Sequence, residues 1–190
     1  DKSLDVEGSP CDHSQMGKDR QSNYADHVSR LIEMRRKETP DVPLDGMEVF
    51  GRARRLTLLS RGPIEAVFAK HGVDTGEFDV LATLQRTGAP YALRPTELYQ
   101  TLMISSGGLT DRLRRLEERG LITRESSETD QRSVMVKLSA KGKALIYKAY
   151  AEDMAVEFDL LSPLSKSERA DLARLLSKLL LGLEETHVPK

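Results

Sequence analysis

The chain has 190 residues, 38% apolar and 31% charged, with a formal net charge of −1. That length suffices for one domain with a real core plus extra terminal segments, and the near-balance of charge argues against wholesale polyanion binding while leaving room for a local basic patch. No run of about 18 apolar residues exists, so no membrane span is expected; a single cysteine, Cys11, fits a reducing cytoplasm, and four scattered histidines lack metal-ligand spacing, so neither metal nor cofactor is expected.

In chain order, residues 1–22 lack periodicity and are rich in Gly, Ser and acids, the composition of a disordered tail. No charged-then-apolar leader opens the chain, and Met16 offers an internal start. From Tyr24 the apolar positions Val28, Leu31 and Ile32 step at three and four, predicting an extra N-terminal helix that ends before Pro40. A linker, "TPDVPLDG", leads to a helix over about Met47–Lys70, which Pro63 is expected to kink or to divide. "GVDTGEFDVLATLQRTG" predicts a helix capped by Asp74 or Thr75, with Glu77 in its first turn and Gly88 at its end. "APYALRP" reads as a connector, and Thr96–Leu102 as a short helix with Pro95 in its first turn. A tight turn at "ISSGG" opens a longer basic helix, Ser105–Arg119. Alternating residues then predict strands at Ile122–Glu125 and Val134–Leu138 around the loop "SSETDQRS". Two helices close the chain. The second begins with the capping-box pair Ser165 and Glu168 and carries a broad leucine stripe from Leu172 to Leu183.

The fold class expected is mainly α with a small two- or three-stranded wing: a winged helix-turn-helix between helical flanks. Its parts are a tail (1–22), the extra helix and linker (23–45) and a main domain (46–190). Within the last, a helix-turn-helix and wing occupy about 74–142, and closing helices 143–186. The Leu172–Leu183 stripe is wider than one core face needs and the extra helix has its own apolar stripe to cover, which favours a homodimer.

On a wheel at about 100° per residue with Leu109 at zero, Leu113 falls near about 40° and Leu116 near about −20°, defining the buried face. Thr110, Asp111, Arg114 and Arg115 occupy the opposite half, with Ser106 on the margin. Hydroxyls at the N-terminal end and guanidiniums further along suit a recognition helix that reads base edges and grips phosphates in a major groove. Gly107 and Gly108 would let the backbone approach the duplex. In the loop, Arg132 is placed to enter a minor groove, and Asp130, two residues before it, to hold the tip. A solvated basic face is the plainer reading of such a helix alone; the turn before it and the hairpin after it favour DNA.

Asp79 and Arg86 are seven residues apart on one face, about 10 Å along the axis. Arg112, near about −60° on the wheel, turns toward the protein body. Two arginines and a carboxylate can clamp an anion, and an interhelix Asp79–Arg112 ion pair explains the spacing equally well.

The stretches "LRPTELYQTLMISSGGLTDRLRRLEERGLITRE" and "ETDQRSVMVKLSAKG" resemble the helix-turn-helix and wing signature of the MarR family of transcription regulators, over roughly Met47–Leu183. The resemblance implies a homodimer on pseudo-palindromic double-stranded DNA, most often a repressor, with Ser105, Ser106, Thr110, Arg114 and Arg132 nearest the DNA. "FDVLATLQRTGAPYALRPTEL" resembles the urate-responsive PecS/HucR-type branch, which has an extra N-terminal helix. In that branch a Trp on the extra helix, an Asp and an Arg seven apart, and a recognition-helix Arg hold the ligand. The last three match Asp79, Arg86 and Arg112. The chain has no Trp, and Met34 or Arg35 stands near the corresponding place. The implied ligand is a small anion, urate or another planar or carboxylated one, and a regulator of the same family with no ligand is the alternative.

Three rivals compete. An oxidant sensor would use Cys11, which sits beside Asp12 in the tail, whereas a sensing thiolate needs an electropositive setting. An enzyme would need a nucleophile with a base, a metal or a phosphate loop, none of which accompanies Asp79, Arg86 and Arg112. A dimerisation module without DNA binding would not need Arg114, Arg115, Arg124 and Arg132.

Overall fold

The computed structural model describes residues 26–102, 108–126 and 134–187. It divides into two compact units, Asp1–Thr57 and Leu58–Lys190.

In the first unit, α1 (His27–Glu38) starts where Asp26 accepts a hydrogen bond from the Ser29 amide at 2.7 Å, satisfying one of the amides a helix leaves open at its start. Val28 and Ile32 are buried as their spacing predicts, whereas Leu31 is exposed; Tyr24 and Cys11 lie outside the described residues. A π-helical turn, Met47–Gly51, approaches α1 so closely that a Cβ on Gly51 would stand 3.0 Å from Val28. It runs into α2 (Arg52–Lys70), which continues unbroken through Pro63. The expected joint at Pro63 is therefore absent, and the departure from α geometry falls earlier, at the π-helical turn.

The second unit is organised around α3 (Thr75–Arg86), in which every residue from Gly76 to Leu84 is buried. Asp74 and Glu77 form a reciprocal capping box at its start. Phe78 stacks on Phe68 of α2 with ring centroids 4.0 Å apart, and Val80, Leu81 and Leu84 join the main core. The expected connector contains a short strand, β1 (Ala92–Leu93), before α4 (Pro95–Thr101). Next come α5 (Leu109–Glu118), β2 (Ile122–Ser126) and β3 (Val134–Leu138). The antiparallel sheet has the order β1-β3-β2, with Arg124 opposite Val136 and Leu93 also opposite Val136 on the other side. The third strand arises because β3 has an open edge on which a two-residue segment can complete its hydrogen bonds.

Ser139 caps α6 (Ala140–Leu160) through the Gly142 amide and donates its own hydroxyl to the Gly120 carbonyl at 2.8 Å. This ties the start of α6 to the corner that follows α5. The last helix, α7 (Lys166–His187), has its predicted Ser165/Glu168 capping box. Every residue from Asp171 to Thr186 is exposed.

Candidate nucleic-acid interface

The helix predicted to read DNA begins at Leu109 and not at Ser105: Gly108 immediately before it has φ +74°, a left-handed backbone that interrupts any continuous α-helical path. Leu109, Leu113 and Leu116 are buried as the wheel requires, and Thr110, Asp111 and Arg114 are exposed. Arg114 is held lightly along its own helix, to Asp111 at 2.7 Å and Glu118 at 2.6 Å. Exposed pairs of this kind are weak and are readily exchanged for phosphate. Ser105, Ser106, Asp130 and Arg132 lie outside the described residues.

Arg115 faces the other way. The wheel groups it with Arg114 toward the duplex, but its guanidinium reaches back to α3, where Nε meets Glu77 at 2.9 Å and Nη2 meets Asp74 at 2.8 Å. Its Nη1 bonds Asp111 at 2.7 Å. These carboxylates, Glu77 foremost, raise the already high pKa of Arg115 further. The carboxylates that redirect it stand about forty residues upstream, beyond the reach of any helical wheel.

Arg112 is turned inward, as its position on the wheel predicts. A Cβ on Gly76 would stand 2.1 Å from its Nε and 2.6 Å from its Cζ, so the side chain packs directly on the first turn of α3. Buried Asp79 is one turn further along the same face of α3, and both Asp79 and Arg112 are engaged with neighbouring groups. Arg86 stands at the far end of α3. Its Nη2 donates to Thr83 Oγ1 at 2.7 Å and to the Thr101 carbonyl, at the end of α4, at 3.0 Å. Met34 belongs to the first unit and is exposed. A cleft of about 460 Å³ opens between α4 and the start of α5, lined by residues that include Thr96, Tyr99 and Thr110; Asp79, Arg86 and Arg112 do not line it.

The sequence model described as "MarR family" matches residues 71–133, from the start of α3 through β2 and ending before β3. The chain is also 41% identical over 151 residues to the HTH-type transcriptional regulator PecS of Dickeya dadantii, a match covering 80% of this chain and 91% of the relative. The chain belongs to the MarR family. It is thus a DNA-binding transcription regulator and not an enzyme. Similar folds include Bordetella bronchiseptica BpsR, whose DNA binding is regulated by 6-hydroxynicotinic acid (TM-score 0.61, 21% identity, 69% of this chain and 91% of that one). Another is the organohalide-sensing regulator RdhR-CbdbA1625 bound to 2,4-dichlorophenol (TM-score 0.65, 20% identity, 80% and 88%).

Within this MarR fold the structure brings Arg112 onto α3 near Asp79 and leaves Arg86 tied to α4. Sequence reasoning missed Glu77, whose carboxylate is buried and accepts from Arg115, Arg119 and the Asp74 amide. The capping-box spacing of Asp74 and Glu77 was its visible signal. Nothing local showed that two arginines would join it.

Proposed function

We propose that the protein binds a pseudo-palindromic operator as a homodimer, represses transcription in the cytoplasm, and lets go of DNA when a small planar anion binds. The observation that carries this reading is the division of labour on α5. Thr110 and Arg114 face outward, while Arg112, on the same helix, lies against α3. The DNA contacts we assign are Thr110 and Arg114, with Ser105, Ser106 and Arg132 completing them and Asp130 steadying the wing tip. Asp79, Arg86 and Arg112 are the ligand-binding set.

The mechanism is linkage: a ligand that prefers the DNA-incompetent state shifts the protein toward it. An anion that draws Arg112 off Gly76 acts on the helix that carries Thr110 and Arg114. Removing Trp from such a site removes a stacking surface, which favours ligands bound by charge and hydrogen bonds over those bound by stacking alone. The aromatic effectors named for BpsR and RdhR-CbdbA1625 support a planar ligand class, urate and other purines or aromatic carboxylates among them. Homodimerisation is supported by α7, whose Leu175, Leu179 and Leu183 are all exposed.

A thermal-shift screen of urate, other purines and small aromatic carboxylates tests the ligand half. One anion is expected to raise the melting temperature, and Arg86→Ala to abolish the rise. A rise that persists in that variant refutes the assigned site.

A further inference from the structure

Arg112, Arg115 and Arg119 follow one another on α5 and its C-cap at spacings of three and four, and all three are half-buried. They therefore form one stripe beside the Leu109, Leu113 and Leu116 face. That stripe lands on a single turn of α3. Arg112 covers Gly76, Arg115 bonds both Glu77 and Asp74, and Arg119 Nη1 bonds Glu77 at 3.1 Å.

The Glu77 side chain is only 6% exposed. Its Oε1 accepts from Arg115, and its Oε2 from Arg119 and, at 3.2 Å, from the Asp74 amide. A buried carboxylate is tolerated when its oxygens are paired in this way, and losing one partner leaves a charge stranded. Each of the three nitrogens of Arg115 already donates to a carboxylate. Three of its five N–H groups are thus committed to carboxylates, which compete with any phosphate for the fork.

Resting on α5 as the DNA-facing helix, we propose that Glu77 is a positioning residue for DNA binding, which sets the rotation of α5 by gripping Arg115 and Arg119. These two arginines act on α3 and not on the duplex. The capping box of α3 is thereby extended into a clamp between helices. Thr110 and Arg114, on the opposite side of α5, are aimed by where that clamp holds the helix.

The experiment uses the full chain and a duplex that the unmodified protein selects from a random pool. Affinity is measured across a salt series for Arg115→Gln, Glu77→Gln, their double variant and Arg114→Gln. Arg115→Gln and Glu77→Gln are each expected to weaken binding about tenfold or more with the salt slope unchanged, and the double variant to be little weaker than either. Arg114→Gln is expected to flatten the slope by about 0.9 for each phosphate it leaves without a counter-charge. A slope for Arg115→Gln that flattens like that of Arg114→Gln overturns the clamp, as do additive losses or an unaffected Glu77→Gln. If melting shows that Glu77→Gln does not fold, the slopes of Arg115→Gln and Arg119→Gln decide: unchanged slopes support the clamp and flattened ones overturn it. An unmodified chain that selects no duplex sinks the reading of α5 itself, and the clamp's role in DNA binding with it.

Discussion

A Cβ on Gly142 would stand 2.0 Å from the Leu121 carbonyl oxygen, a backbone atom that cannot swing aside. Gly142 is the last residue of the "LSAKG" motif, and its lack of a side chain lets α6 start against the corner between α5 and β2. Gly142→Ala is expected to destabilise by about 1–3 kcal/mol in chemical denaturation, the usual cost of overpacking. Asp153 is buried on α6, and among the described residues its Oδ1 accepts no hydrogen bond. Burial, and then the charge of Glu157, pushes its carboxyl up to about 6. Because the folded-state value is raised, the ionised form opposes folding above that pH, and the penalty is relieved as pH falls from about 6 toward the unfolded value near about 4. Asp153→Asn is therefore expected to raise the melting temperature at pH 8 and to change it much less at about pH 4.

Between elements, the proposed regulation turns on the packing of α5 against α3. Arg112 rests on Gly76 because glycine leaves the helix surface open at that point. Arg112→Ala is expected to keep most DNA affinity and to lose the ligand response, read by a mobility-shift titration with and without the anion found in the screen. Gly76→Ala approaches the same contact from α3: the new methyl group meets the flexible end of Arg112 and displaces it at little cost in stability. A Gly76→Ala protein that melts normally but responds to the ligand undiminished would contradict the role given to Arg112.

At the scale of the whole molecule, the leucines of α7 are the surface assigned to the proposed homodimer. From Asp171 to Thr186 every residue of the helix is exposed, and an apolar stripe of that length left in water favours association. Leu176→Glu with Leu179→Glu is expected to convert a dimer to a monomer in sedimentation and to reduce operator affinity sharply, since two half-sites one helical turn apart need paired reading helices. A double variant that sediments as the unmodified protein does would place the interface elsewhere.

What could be read from the order of residues was what depends on near neighbours. Leucine spacing marked the buried face of α5, Asp74 with Glu77 and Ser165 with Glu168 marked two helix starts, and β-branched alternation placed β3. The wheel also turned Arg112 inward, since that angle follows from its distance to Leu109. Tertiary packing alone decided where Arg115 goes, because Glu77 is brought beside it only when α3 and α5 pack together. It also decided the third strand, which forms only where the edge of β3 comes within reach of Ala92 and Leu93. Periodicity gives the direction in which a side chain leaves its helix; the charge that waits there is set by chain segments far away in sequence, and only folding brings those together.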